Sequence, residues 1–243
     1  MKRLIFNYLK IIIYYNILYE YYSNNYWFFT ADILAGLFHW FEDRYLSYCT
    51  SMPFLDKITE GNELHHYFPR SMLANSYIDN IAYSLPAMFV LIFIIFLINK
   101  QFVNKYRYFF VSLFIFGSLS NLFHRFSHMR DCENNIFIFF LQKTGLLIPH
   151  EFHSIHHEKA NQKYCVILVY PNYVLDYLNF WEILENIILL FGINPKPMNN
   201  YEVYSSIHDH MHFNSKIECP DKPTKKDIIE LKEKLKIFKN CKY

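Results

Sequence analysis

The chain has 243 residues, 53% of them hydrophobic and 20% aromatic, with a net charge of +2 and only five glycines. That length suits one domain or one compact membrane module, and no basic stripe stands apart to mark a nucleic-acid binder. The five cysteines (Cys49, Cys132, Cys165, Cys219, Cys241) are odd in number and form no C-x-x-C pair, which predicts reduced thiols in a reducing compartment rather than a disulfide framework.

In chain order, residues 4–22 are apolar but carry Lys10 and Glu20. No small-residue cleavage site follows them, so residues 1–25 are expected to form a retained N-terminal membrane helix rather than a signal peptide. Residues 26–41, "YWFFTADILAGLFHWF", read as another span that carries Asp32 and His39. Residues 81–98 and 108–123 contain no charge and are joined by "NKQFVNKYR", the pattern of a transmembrane hairpin. Residues 135–148 are apolar but too short to cross, and read as interfacial or re-entrant. From residue 198 the chain turns polar, and 222–238 predicts a charged amphipathic helix in a solvated tail. The expected fold is an all-α integral membrane protein, a bundle of about four transmembrane helices.

Against that frame the twelve histidines are not scattered. His39 ends the 26–41 segment, and His65 and His66 follow in the connection "GNELHHYFP". His124 and His128 lie just past the returning arm of the hairpin, and His153, His156 and His157 come next on the same side. Of the 24 Lys and Arg, only Lys100, Lys105 and Arg107 lie in the hairpin loop, so the positive-inside rule puts the histidine face in the cytosol.

The spacings point to metal. His124 and His128 are four apart, as are His153 and His157, so a helix places each pair on one face. Asp32, Gly36, His39 and Asp43 form one helical stripe in "ADILAGLFHWFED". Its glycine admits a second backbone, and its carboxylates can orient imidazoles through their N–H groups. Imidazole suits iron, zinc, copper or nickel. Zinc is satisfied by about four ligands, so eight nitrogens suit two ions side by side. His150 reads as a contact near the cluster, and His208, His210 and His212 in "IHDHMHF" as a surface run.

These motifs, "ADILAGLFHWFED", "HHYFP", "NLFHRFSH" and "HSIHHEKANQKYCVILVYPNYVLD", resemble in order and type those of the Kua family of membrane lipid desaturases. The resemblance implies a lipid desaturase domain over 26–197 and a polar cytosolic tail over 198–243. It implies a di-iron site held by His39, His65, His66, His124, His128, His153, His156 and His157, with Asp32, Asp43, Asn121, Asn172 and Asp176 supporting the ligands. It further implies O2 as co-substrate, electrons from cytochrome b5 or ferredoxin, and a phospholipid substrate desaturated near its headgroup end. The expected location is the endoplasmic reticulum, with the histidine face toward the cytosol. Asn75 stands where plasmanyl-acting members carry a further histidine, so ether and acyl substrates both stay open. A di-iron hydroxylase and a non-enzymatic protein with a relict site are the alternatives.

Overall fold

The computed structural model describes residues 28–46, 53–159, 161–196, 211–213 and 218–235. The expected N-terminal helix over 4–22, and His208 and His210, lie outside these residues. Among the described residues every regular element is helical. In order they are α1 (28–45), α2 (Pro53–Tyr67), a 3-10 turn (Pro69–Ala74), α3 (Tyr77–Ile98), α4 (Lys100–Lys105), α5 (Arg107–Ser118) and α6 (Ser120–Ser127). A second 3-10 turn (Asp131–Glu133), α7 (Ile136–Lys143), α8 (His150–Glu158), α9 (Val169–Tyr177), α10 (Phe180–Leu189) and α11 (Lys225–Leu235) follow.

Helix α3 starts on a reciprocal cap. The Ser76 hydroxyl accepts from the Asp79 N–H at 3.1 Å, and the Asp79 carboxylate accepts from the Ser76 N–H at 2.9 Å. The helix has 22 residues, none of them charged after Asp79, and its apolar stretch is not buried inside the protein. The hairpin's returning arm is broken. Gly117 lets Met88 of α3 lie where a side chain would sit, and the Ser120 hydroxyl turns back onto the Gly117 carbonyl at 2.7 Å. Helices α5 and α6 meet there at 41°.

Among the described residues one helix, α3, is long and apolar enough to cross a membrane, or two if the bent α5–α6 pair is one span. Of the expected spans, 81–98 falls in α3 and 108–123 in the bent α5–α6 pair, and 4–22 lies outside the described residues. Residues 26–41, also expected to span, do not qualify: the described helix α1 carries Asp32, Glu42, Asp43 and Arg44, and both Asp32 and Arg44 are buried in protein contacts. Helix α7 has eight residues and exposes Ile136, Phe137 and Phe140.

The C-terminal segment is docked rather than solvated. Leu231 of α11 is fully buried with Leu64, Tyr67, Phe68 and Met211. The expectation of five free thiols also fails. Cys132 and Cys219, 87 residues apart, form a disulfide, because the returning segment lies across the turn after α6. Cys165 is free and buried.

Candidate metal centre

All eight expected histidines converge, and the structure sorts them into two donor groups. One holds His65, His124, His128, His153 and His157. The other holds His39, Asp43, His66 and His156. In each, one donor atom per residue lies within 4.8 Å of all the others. Nitrogens bound about 2.1 Å from one ion stand up to about 4.2 Å apart, so each group comes within a few tenths of an ångström of the span of a single coordination sphere.

Helical geometry explains the sorting. Residues four apart share a face, and the pairs His124/His128, His153/His157 and His39/Asp43 each serve one group. Neighbouring residues diverge by about 100°, so His65/His66 and His156/His157 are split between the groups. Each His-His dipeptide therefore straddles the two sites. Helix α2 extends to Tyr67, which places His65 and His66 in its last turn rather than in a connection.

The four-donor group is held from outside. His39 Nδ1 donates to the Tyr164 carbonyl at 3.1 Å and His156 Nδ1 to the Gln162 carbonyl at 2.7 Å, which leaves both Nε2 atoms facing inward without a hydrogen-bond partner. Asp43 lies among the imidazoles, 2.8 Å from His66 Nε2, 3.3 Å from His156 Nε2 and 3.5 Å from His39 Nε2. Besides the expected contacts to the rings, its carboxylate falls within the four-residue donor group, and Asn62 donates to it at 2.8 Å. Its spacing of four from His39 was the available signal.

The five-histidine group is held by packing. His65 and His157 have no hydrogen-bond partner on either ring nitrogen. His124 Nε2 lies 2.8 Å from His153 Nε2 and 3.2 Å from His128 Nε2. Burial holds His65, His153 and His157 well below the ordinary imidazole range, so they are neutral, the form that ligates metal. Buried nitrogens without partners, converging in two sets, fit a pair of ions.

The expected supporting residues divide. Asp32 touches no ring. Its carboxylate accepts from the backbone N–H groups of Val166 (3.0 Å), Ile167 (2.8 Å) and Leu168 (2.8 Å). Asn172 clasps the same segment, accepting from Cys165 N–H and donating to the Cys165 and Leu168 carbonyls. Asp176 accepts from the Lys163 N–H at 3.2 Å, where the backbone is left-handed at φ 59°. All three brace residues 163–168, which present the Tyr164 carbonyl to His39. Gly36 completes this arrangement, because a Cβ there would stand 3.1 Å from the Cys165 Cα and N. Asn121 is half-buried on α6, and no hydrogen bond ties its side chain to the cluster among the described residues.

Two arginines went unread in the sequence. Arg70 is fully buried, forks onto Glu133 at 2.6 and 3.1 Å, and reaches the carbonyls of His128, Pro220 and Asp221 at 3.4 Å. Arg125, beside His124, donates to the Met72 and Asn75 carbonyls at 2.8 Å and fixes the cluster at the start of α3. His150 is outside both groups, with burial lowering its pKa to about 4. His212 is outside them too and packs on Phe68.

A family model of the lipid desaturase domain matches residues 28–198, a span that holds every donor of both groups. The chain belongs to the lipid desaturase family. Within the family it is 30% identical over 173 residues to a probable fatty acid desaturase of Acanthamoeba polyphaga mimivirus, covering 68% of this chain and 81% of that protein. It is 30% identical over 172 residues to the chloroplastic fatty acid desaturase 4-like 1 of Arabidopsis thaliana, covering 70% of this chain and 57% of that one. It is 28% identical over 177 residues to plasmanylethanolamine desaturase 1 of Mus musculus, covering 68% and 64%. The matched region thus spans less than two thirds of the plant and mouse relatives. No solved structure matches.

Proposed function

We propose that this protein is a membrane di-iron lipid desaturase that uses O2 to introduce a double bond near the headgroup end of a phospholipid alkyl or acyl chain. The observation that carries the reading is the pair of donor groups set at the start of the apolar helix α3, in a chain of the lipid desaturase family. The five histidines would hold one ion, and His39, His66, His156 and Asp43 the other. Bound iron supplies the capacity to reduce O2 and oxidise an unactivated C–H bond, which no side chain possesses.

The overall change is –CH2–CH2– plus O2, two electrons and two protons to –CH=CH– plus two waters. The electrons must come from outside, and a cytochrome b5-type protein or a ferredoxin fits that requirement. The chain's own residues set the geometry. The Tyr164 and Gln162 carbonyls fix the His39 and His156 tautomers, Asp43 adds negative charge to one group, and burial keeps rings neutral and water out. A lipid lying against α3 would reach the centre headgroup end first, which favours a double bond close to the glycerol and accommodates ether and ester linkages alike.

The charge asymmetry favours an endoplasmic-reticulum protein with its metal face in the cytosol. The Cys132–Cys219 disulfide on that face is rare in a reducing compartment, so thiol labelling of intact membranes bears directly on orientation. The activity test is expression in desaturase-null cells, followed by mass spectrometry that locates double bonds. A new double bond beside the headgroup is expected. A hydroxylated lipid, or a double bond deep in the chain, would refute the proposal.

A further inference from the structure

The family match ends at residue 198, yet the chain returns to the metal centre beyond it. Phe213 is buried, and its ring lies 4.9 Å from that of His128 and nearly parallel to it, at 13°. The same ring stands 4.7 Å from His150, 5.0 Å from His157 and 6.1 Å from His153. Three of these four are donors of the five-histidine group. The backbone here is anchored, not merely adjacent. Arg130 donates to the Phe213 carbonyl at 3.0 Å and to the Glu218 carbonyl at 3.3 Å, and the Cys132–Cys219 bond fastens the chain a few residues on. Met211 is fully buried beside α2 and α11.

We propose that Phe213 is the cover of the five-histidine group, a positioning residue that seals one metal site against water from outside the histidine motifs and the family match. It rests on the metal-centre reading for its role in turnover, although the covering itself does not. His157 has no hydrogen bond on either ring nitrogen and lies 5.0 Å from the Phe213 ring, so an apolar lid is the element that keeps this side of the group aligned and dry. A benzene ring suits this place, because it shields imidazoles without offering a competing ligand.

Site-resolved carbethoxylation of histidines in the metal-free, full-length protein in detergent tests the cover. Phe213→Ala should speed modification of His128 and His157 by about tenfold, and leave His39 and His66 of the other group near their starting rates. Phe213→Leu, which keeps an apolar side chain and guards against a folding defect, should stay close to the parent protein. Equal rates in Phe213→Ala and the parent would overturn the cover. So would a rise shared by both groups, or a Leu variant as open as the Ala one. In turnover, Phe213→Ala should release more hydrogen peroxide per double bond formed, and an unchanged ratio would overturn the water-sealing role. The labelling needs neither iron nor lipid, so a covered chain without desaturase activity would fail the functional proposal alone.

Discussion

The two donor groups solve the same problem by different means. In the four-donor group, rings are aimed by hydrogen bonds from outside: carbonyls hold His39 and His156, and a carboxylate sits among the nitrogens. In the five-histidine group the rings contact one another and Phe213, and two of them make no hydrogen bond at all. The first depends on the geometry of one braced segment, the second on close packing and ligand surplus. Failure should therefore look different on the two sides.

The largest effect tests whether both groups are needed. Alanine at any of the eight histidines should abolish turnover, and a His124→Ala protein with normal expression and full activity would break the assignment. Metal analysis separates the groups. Asp43→Ala leaves three donors and should bring iron from about two per chain toward one, whereas His157→Ala leaves four and should retain nearly two. If both variants lose the same amount of iron, the division into two groups is wrong.

Bracing should matter less, and only on one side. Asp32→Asn puts an amide N–H against backbone N–H groups and costs about 1–3 kcal/mol of stability, read by denaturant unfolding. It should also weaken iron affinity about 10–100-fold in the four-donor group and spare the other. Cys219→Ser should weaken docking of the C-terminal segment by about 2–4 kcal/mol, measured as faster hydrogen exchange across α11. The smallest change is expected from His212→Ala, within about 0.5 kcal/mol and with activity retained.

Much of the site could be read from spacing, because helical periodicity is a local property. His124/His128, His153/His157 and the Asp32–Gly36–His39–Asp43 stripe required only that each stretch be helical. Membership of a group follows the same rule, and the spacing of four between His39 and Asp43 puts that carboxylate beside the rings. What depends on chain return was not legible. The Tyr164 and Gln162 carbonyls carry no side-chain signature, and Phe213 is one of 25 phenylalanines. The Cys132–Cys219 pair shows no motif spacing across 87 residues. The spans among the described residues divide in a similar way. Over-all apolarity marked α3 correctly, whereas α1 mixes apolar residues with buried charges that serve the site.

Gly36 has a consequence for how this enzyme can change over evolutionary time. It carries no chemistry, yet a single added methyl would act as a wedge between α1 and Cys165, and the nearest backbone atoms, at 3.1 Å, cannot swing aside like a side-chain tip. The displacement would pass along the strip of chain that Asp32 and Asn172 clasp and would arrive at the Tyr164 carbonyl as an error in the aim of His39. The position therefore admits even alanine only as far as the Cys165 backbone yields, by a few tenths of an ångström. An engineer who wished to retune one donor group without touching its members would find in residue 36 a mechanical adjustment of a few tenths of an ångström.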